Sequence, residues 1–99
     1  MTGSMSYWDT AALAKLYLQE EDSATFRSLA IQLAPVSTAH LTRHEIHTVF
    51  RRREAEGVIV PGAAALLNGD FENDIASGII AIQDETDVVR QEFADTLEL

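Results

Sequence analysis

Two acids in this chain stand where a carboxylate does chemistry. Asp9, in YWDTAALAKLYLQEED, ends an aromatic run and opens an amphipathic segment within one residue. Glu45, in HLTRHEIH, follows a second short apolar stretch. An unpartnered carboxylate at the end of a buried strand is costly, so each acid must cap a helix, coordinate a cation, or do both. For the first segment the cap is Asp9 or Thr10. For the second, Thr42 followed three residues later by Glu45 has the form of a capping box. Two acids at equivalent strand ends also suit a hard, oxygen-preferring ion, since paired carboxylates in such a crevice are a way of holding Mg²⁺.

Other side chains offer different chemistry. His44 and His47 are three residues apart, with His40 nearby, a spacing at which two imidazoles can share a transition metal. The zinc-protease motif instead needs the second histidine four residues after the first. Exposed surface histidines are the simpler reading. Arg43, Arg51, Arg52 and Arg53 supply four of the seven basic residues, against sixteen acidic ones and a net charge of -9. That balance repels nucleic acid at long range, so any phosphate contact is confined to this basic edge, for which a solvated helix face is the simpler reading.

The elements that must position these groups alternate regularly. Ser6 to Asp9 reads as a short strand, and from Ala11 the residues Leu13, Leu16 and Tyr17 have helical spacing up to the polar QEED. Asp22 or Ser23 caps a second helix whose stripe is Phe26, Leu29, Ala30 and Leu33, ending at Pro35. PVSTAHL is the second strand. A third helix runs from Thr42 through Ile46, Val49 and Phe50 to Gly57, and Pro61 opens a fourth that carries Ala64, Leu67, Phe71 and Ile75. Gly78 closes it, GIIAI is the third strand, and a last helix places Val89, Phe93, Thr96 and Leu97 inward. Short apolar strands separated by helices imply parallel pairing, hence an α/β sandwich with helices on both faces of the sheet. In such sheets ligands gather beyond the carboxyl ends of the strands, where Asp9 and Glu45 lie.

At 99 residues with 46% hydrophobic side chains, one domain is expected. The reading is an extension over residues 1–5, with GSM at 3–5 resembling a tag remnant, followed by a domain over 6–99. No apolar run reaches bilayer length, the absence of cysteine excludes disulfides and thiolate zinc sites, and the default compartment is cytoplasmic.

Taken in order, YWDTAALAKLYLQEEDSATFRSLA and VSTAHLTRHEIHTVFRRREAEG resemble the PIN-domain family, in particular the VapC-like toxin ribonucleases of type II toxin–antitoxin pairs. Asp9, Thr10, Ala11, Ala12 and Leu13 match that family's D-[ST]-[AS]-A-L strand end, and Lys15, Leu16 and Tyr17 its K-L-Y. His40 to Glu45 matches A-L-T-R-x-E, with histidine where a small residue is usual. The resemblance implies a three-layer sandwich with a short parallel sheet, and Asp9 and Glu45 as catalytic metal ligands for Mg²⁺ or Mn²⁺. It further implies Thr10 as a supporting residue, Arg43 and Arg51 against the RNA backbone, and RNA and an antitoxin protein as partners. The family's third and fourth acids have no counterpart here, so the expectation is a PIN-like domain incomplete at its C-terminus, impaired in cleavage, and self-associating through the apolar surface left uncovered. The competing expectation is a non-catalytic PIN remnant that dimerises or binds an antitoxin.

Overall fold

Val36, Ser37 and Thr38 are consecutive and all buried, although neighbouring residues of a strand point to opposite faces, so both faces of this strand are covered. It is the centre of a parallel three-stranded sheet in the computed structural model, which describes residues 6–83. The order is β1 (Ser6–Tyr7), β2 (Val36–Ala39), β3 (Ile80–Gln83), with Ser6 opposite Val36 and Val36 opposite Ile80. Among the described residues four helices flank the sheet in an α/β fold: α1 (Thr10–Ala14), α2 (Ser23–Leu33), α3 (His40–Ala55) and α4 (Ala63–Ala76). The expected last helix and the N-terminal extension lie outside the described residues. Among the described residues no helix is long and apolar enough to cross a membrane.

The core joins sheet and helices through Val36 and Ile80 on the strands, Leu13 on α1, Ile46 and Phe50 on α3, and Ala64 and Phe71 on α4. Tyr17 holds the two long helices together by presenting its ring edge-on to Phe50 and Phe71, at centroid distances of 5.9 and 5.8 Å. The periodicities of α3 and α4 thus correspond to the faces they bury. Glu54, near the end of α3, accepts the backbone N–H groups of Gly62 and Ala64 at 3.0 Å each, which caps α4 from the preceding helix. Gly57 and Gly62 flank this turn at φ of 79° and 90°, a region that only glycine enters without strain.

Four elements depart from the sequence reading. β1 ends at Tyr7 rather than Asp9, which instead caps α1. α3 begins at His40, not Thr42: its N-cap position is Ala39, which has no capping side chain, and Thr42 is buried inside the helix. The capping box of Thr42 and Glu45 therefore does not form, and Glu45 sits in the helix interior. α1 stops at Ala14, where the backbone tightens into turns: the Leu16 N–H donates to the Leu13 carbonyl at 3.0 Å and the Tyr17 N–H to the Ala14 carbonyl at 3.1 Å, and the carbonyls beyond are taken by side chains. Arg27 reaches the Leu16 and Leu18 carbonyls at 3.1 and 2.9 Å, and the Ser23 hydroxyl donates to Leu18 at 2.8 Å. Finally, the α2 stripe is only half covered. Ala30 is buried and Phe26 packs edge-on to Trp8 at 5.8 Å, but Leu29 and Leu33 remain 39% and 45% exposed.

Candidate functional site

β1 and β2 run side by side in the same direction, so both deliver the chain to the same edge of the sheet. The exit of β1 is pinned there by two bonds to β2: the Trp8 N–H donates to the Ser37 carbonyl at 2.8 Å, and the buried Thr38 hydroxyl donates to the Trp8 carbonyl at 2.7 Å. Asp9 follows at once in extended backbone and caps α1, its Oδ1 accepting the Ala12 N–H at 2.9 Å. Of the roles left open for Asp9, capping is therefore realised, and it engages one carboxylate oxygen. The other is available to a cation.

Thr10, the first residue of α1, donates its hydroxyl to Glu45 Oε1 at 2.7 Å, across 35 residues of chain. That bond brings the second turn of α3 against the start of α1. Thr10 and its neighbour Asp9 thus lie beside Glu45 at the carboxyl edge of the sheet, with both acids exposed and Thr10 half-buried. The donor set is two carboxylates with one hydroxyl orienting the second, which is the oxygen chemistry that Mg²⁺ and Mn²⁺ prefer. Among the described residues it offers two carboxylates. Among the described residues, no group of three or more histidine, cysteine, aspartate or glutamate side chains is placed to hold a metal.

The basic residues are divided between two duties. The Arg43 guanidinium forks onto Glu72 of α4, with Nε 2.9 Å from Oε2 and Nη2 on Oε1. This hydrogen bond holds the Glu72 carboxyl below its usual range, against partial burial, and raises Arg43 in return. His47 Nε2 lies 3.3 Å from the same Oε2. Arg53 reaches Glu20 and Glu56 at 3.8 and 3.6 Å. Among the described residues neither Arg51 nor Arg52 forms an ion pair. Of the two arginines expected against RNA, Arg51 is exposed and Arg43 is engaged by Glu72. The histidine pair expected at 44 and 47 is also rearranged. His44 packs its ring against His40 at 5.3 Å, while His47 faces Glu72 and Phe71.

Two contributors escaped the sequence reading. Thr38 looked only like a β-branched strand residue, and nothing local signals that its hydroxyl fixes the Trp8 carbonyl. Glu72 did leave a signal: with Phe71 and Ile75 inward, Glu72 and Asn68 fall on the flank of α4 nearest its helical neighbour. No family model matches the chain, and no curated protein matches it.

Proposed function

We propose that this chain is a PIN-like, VapC-type endoribonuclease acting on RNA in the cytoplasm, with Asp9 and Glu45 as the carboxylates that hold Mg²⁺ or Mn²⁺. The observation that carries this reading is the Thr10–Glu45 hydrogen bond, because it brings the acids that follow β1 and β2 to one edge of a parallel sheet. The buried faces of β2 agree with the three-layer arrangement of that family. Bound there, the ion supplies Lewis-acid polarisation of a phosphoryl oxygen and a water of lowered pKa. Asp9 provides charge from a backbone fixed by Thr38, Glu45 provides charge from a rigid helix, and Thr10 fixes the direction of the Glu45 carboxylate. With two carboxylates from the described residues an octahedral ion keeps most of its waters, and weak Mg²⁺ binding with slow cleavage is expected. The test is cleavage of a mixed RNA pool over a range of Mn²⁺ with and without chelator. Slow, chelator-sensitive cleavage that disappears in Asp9→Asn is expected. Robust cleavage that survives Asp9→Asn would contradict the assignment.

A second reading, a module that self-associates or takes an antitoxin peptide, is favoured by a groove of about 560 Å³ between the α1–α2 turn and the α3–α4 turn. Its apolar wall includes Val58 and Val60, which are 63% and 72% exposed. An acidic chain of net charge -9 complements a basic partner. A strictly monomeric mass by light scattering at high concentration would count against self-association.

A further inference from the structure

A polar groove of about 440 Å³ lies between α3 and α4. Arg43, His47 and Arg51 recur every four residues along one wall, and Glu72 and Asn68 face them from α4. Three features of its chemistry point the same way. First, Arg43 is held by a forked carboxylate, and the guanidinium fork that fits a carboxylate also fits a phosphate. Second, Arg51 lies further along the groove and forms no ion pair among the described residues. Third, Asn68 Oδ1 is buried with no hydrogen-bond partner among the described residues, an acceptor in want of a donor. A chain of phosphates carrying hydroxyl donors satisfies all three, and single-stranded RNA is such a chain through its 2′-hydroxyls. The net charge of -9 opposes RNA at long range, and α3, whose acids are Glu45 and Glu54 alone, is the local basic exception. His44 and Thr48 of α3 also line the groove, and Arg52 is exposed next to Arg51.

We propose that this groove is a single-stranded RNA subsite in which Glu72 occupies Arg43 in the free protein and is displaced by a backbone phosphate. Glu72 thus acts as an internal competitor that lowers affinity for RNA and raises the selectivity for a ligand able to fork onto Arg43. Arg51 is the contact made without competition. The inference rests on the ribonuclease reading for the identity of its ligand, but its test does not involve cleavage. Failure of the groove and failure of the metal site are therefore distinguishable.

The experiment measures binding of a labelled oligouridylate to the full chain by fluorescence anisotropy, in chelator, as a function of salt. Glu72→Gln, which keeps the side chain's size, is expected to tighten binding roughly two- to fivefold, the scale of one exposed ion pair that no longer has to be broken. Glu21→Gln, the same change of charge at an exposed residue away from the groove, is expected to give less than half of that gain. Adding Arg43→Ala to Glu72→Gln removes the gain. Arg51→Ala weakens binding and makes the slope of log K against log salt shallower by about 0.7, the value for one phosphate contact on a single strand. Circular dichroism confirms that each variant is folded. The proposal is overturned if Glu72→Gln binds no more tightly than Glu21→Gln, if the salt slope is unmoved in Arg51→Ala, or if polyglutamate binds as tightly as the RNA.

Discussion

Thr10 and Glu45 are separated by 35 residues and joined by a 2.7 Å hydrogen bond, so the first turn of α1 and the second turn of α3 meet at one corner of the sheet. The hydroxyl donates and the carboxylate accepts, which orients Glu45. Thr10→Val removes the donor while keeping the branched shape. Because the bond is exposed, its loss is expected to cost no more than about 1 kcal/mol of stability. Mn²⁺ affinity is expected to fall more than stability does, since a freely rotating Glu45 must be ordered on binding. Urea unfolding and a metal titration on the same variant check both halves.

Asp9 has two separable duties. Asparagine caps a helix about as well as aspartate, so Asp9→Asn should change stability by less than about 0.5 kcal/mol, whereas Asp9→Ala should cost about 0.5–2 kcal/mol. Metal binding requires the charge, so both variants should lose it. Thermal or urea unfolding, set beside the metal titration, distinguishes the cap from the ligand.

Thr38 fixes the backbone from which Asp9 projects. Thr38→Val leaves the Trp8 carbonyl buried and unpaired, at an expected cost of about 1–3 kcal/mol. Thr38→Ser retains the hydroxyl and should recover most of that loss. The readout is the urea midpoint at unchanged slope.

Tyr17 makes stability sensitive to alkaline pH. Burial and a 2.5 Å hydrogen bond to Asp74 push its phenol well above its ordinary value. A folded-state value raised above the unfolded value of about 10 gives stability that is fully present below pH 10 and is lost as pH rises beyond it. Tyr17→Phe should be less stable at neutral pH by roughly 1 kcal/mol, and should show a shallower decline above pH 10. Unfolding curves between pH 7 and pH 11 decide this.

Much of this architecture is legible in the residues. The alternation of short apolar strands with helical stripes locates all three strands, and Ile46, Phe50, Ala64 and Phe71 mark the buried faces of the long helices because a 3.6-residue period survives in both. The start of α3 is illegible, since Ala39 carries no capping group and the Thr42–Glu45 pattern mimics one. The turn after α1 is held by Arg27 and Ser23 bonding the Leu16 and Leu18 carbonyls, which no helical period in that stretch announces. The same holds for the candidate site. That Asp9 and Glu45 share an edge follows from parallel order, whereas the Arg43–Glu72 fork joins residues 29 positions apart on different helices, beyond the reach of any local pattern.

The central claim is that Asp9 and Glu45 hold one divalent ion. It is tested most directly by titrating Mn²⁺ into the isotopically labelled protein and following paramagnetic broadening of backbone amide resonances. The amides of Asp9, Thr10 and Glu45 should broaden first, and this should vanish in Asp9→Asn and weaken strongly in Glu45→Gln while both variants keep their folded spectra. Broadening centred on the His40–His44 pair or on Glu20 to Asp22, or broadening at Thr10 that persists unchanged in Asp9→Asn, would contradict it.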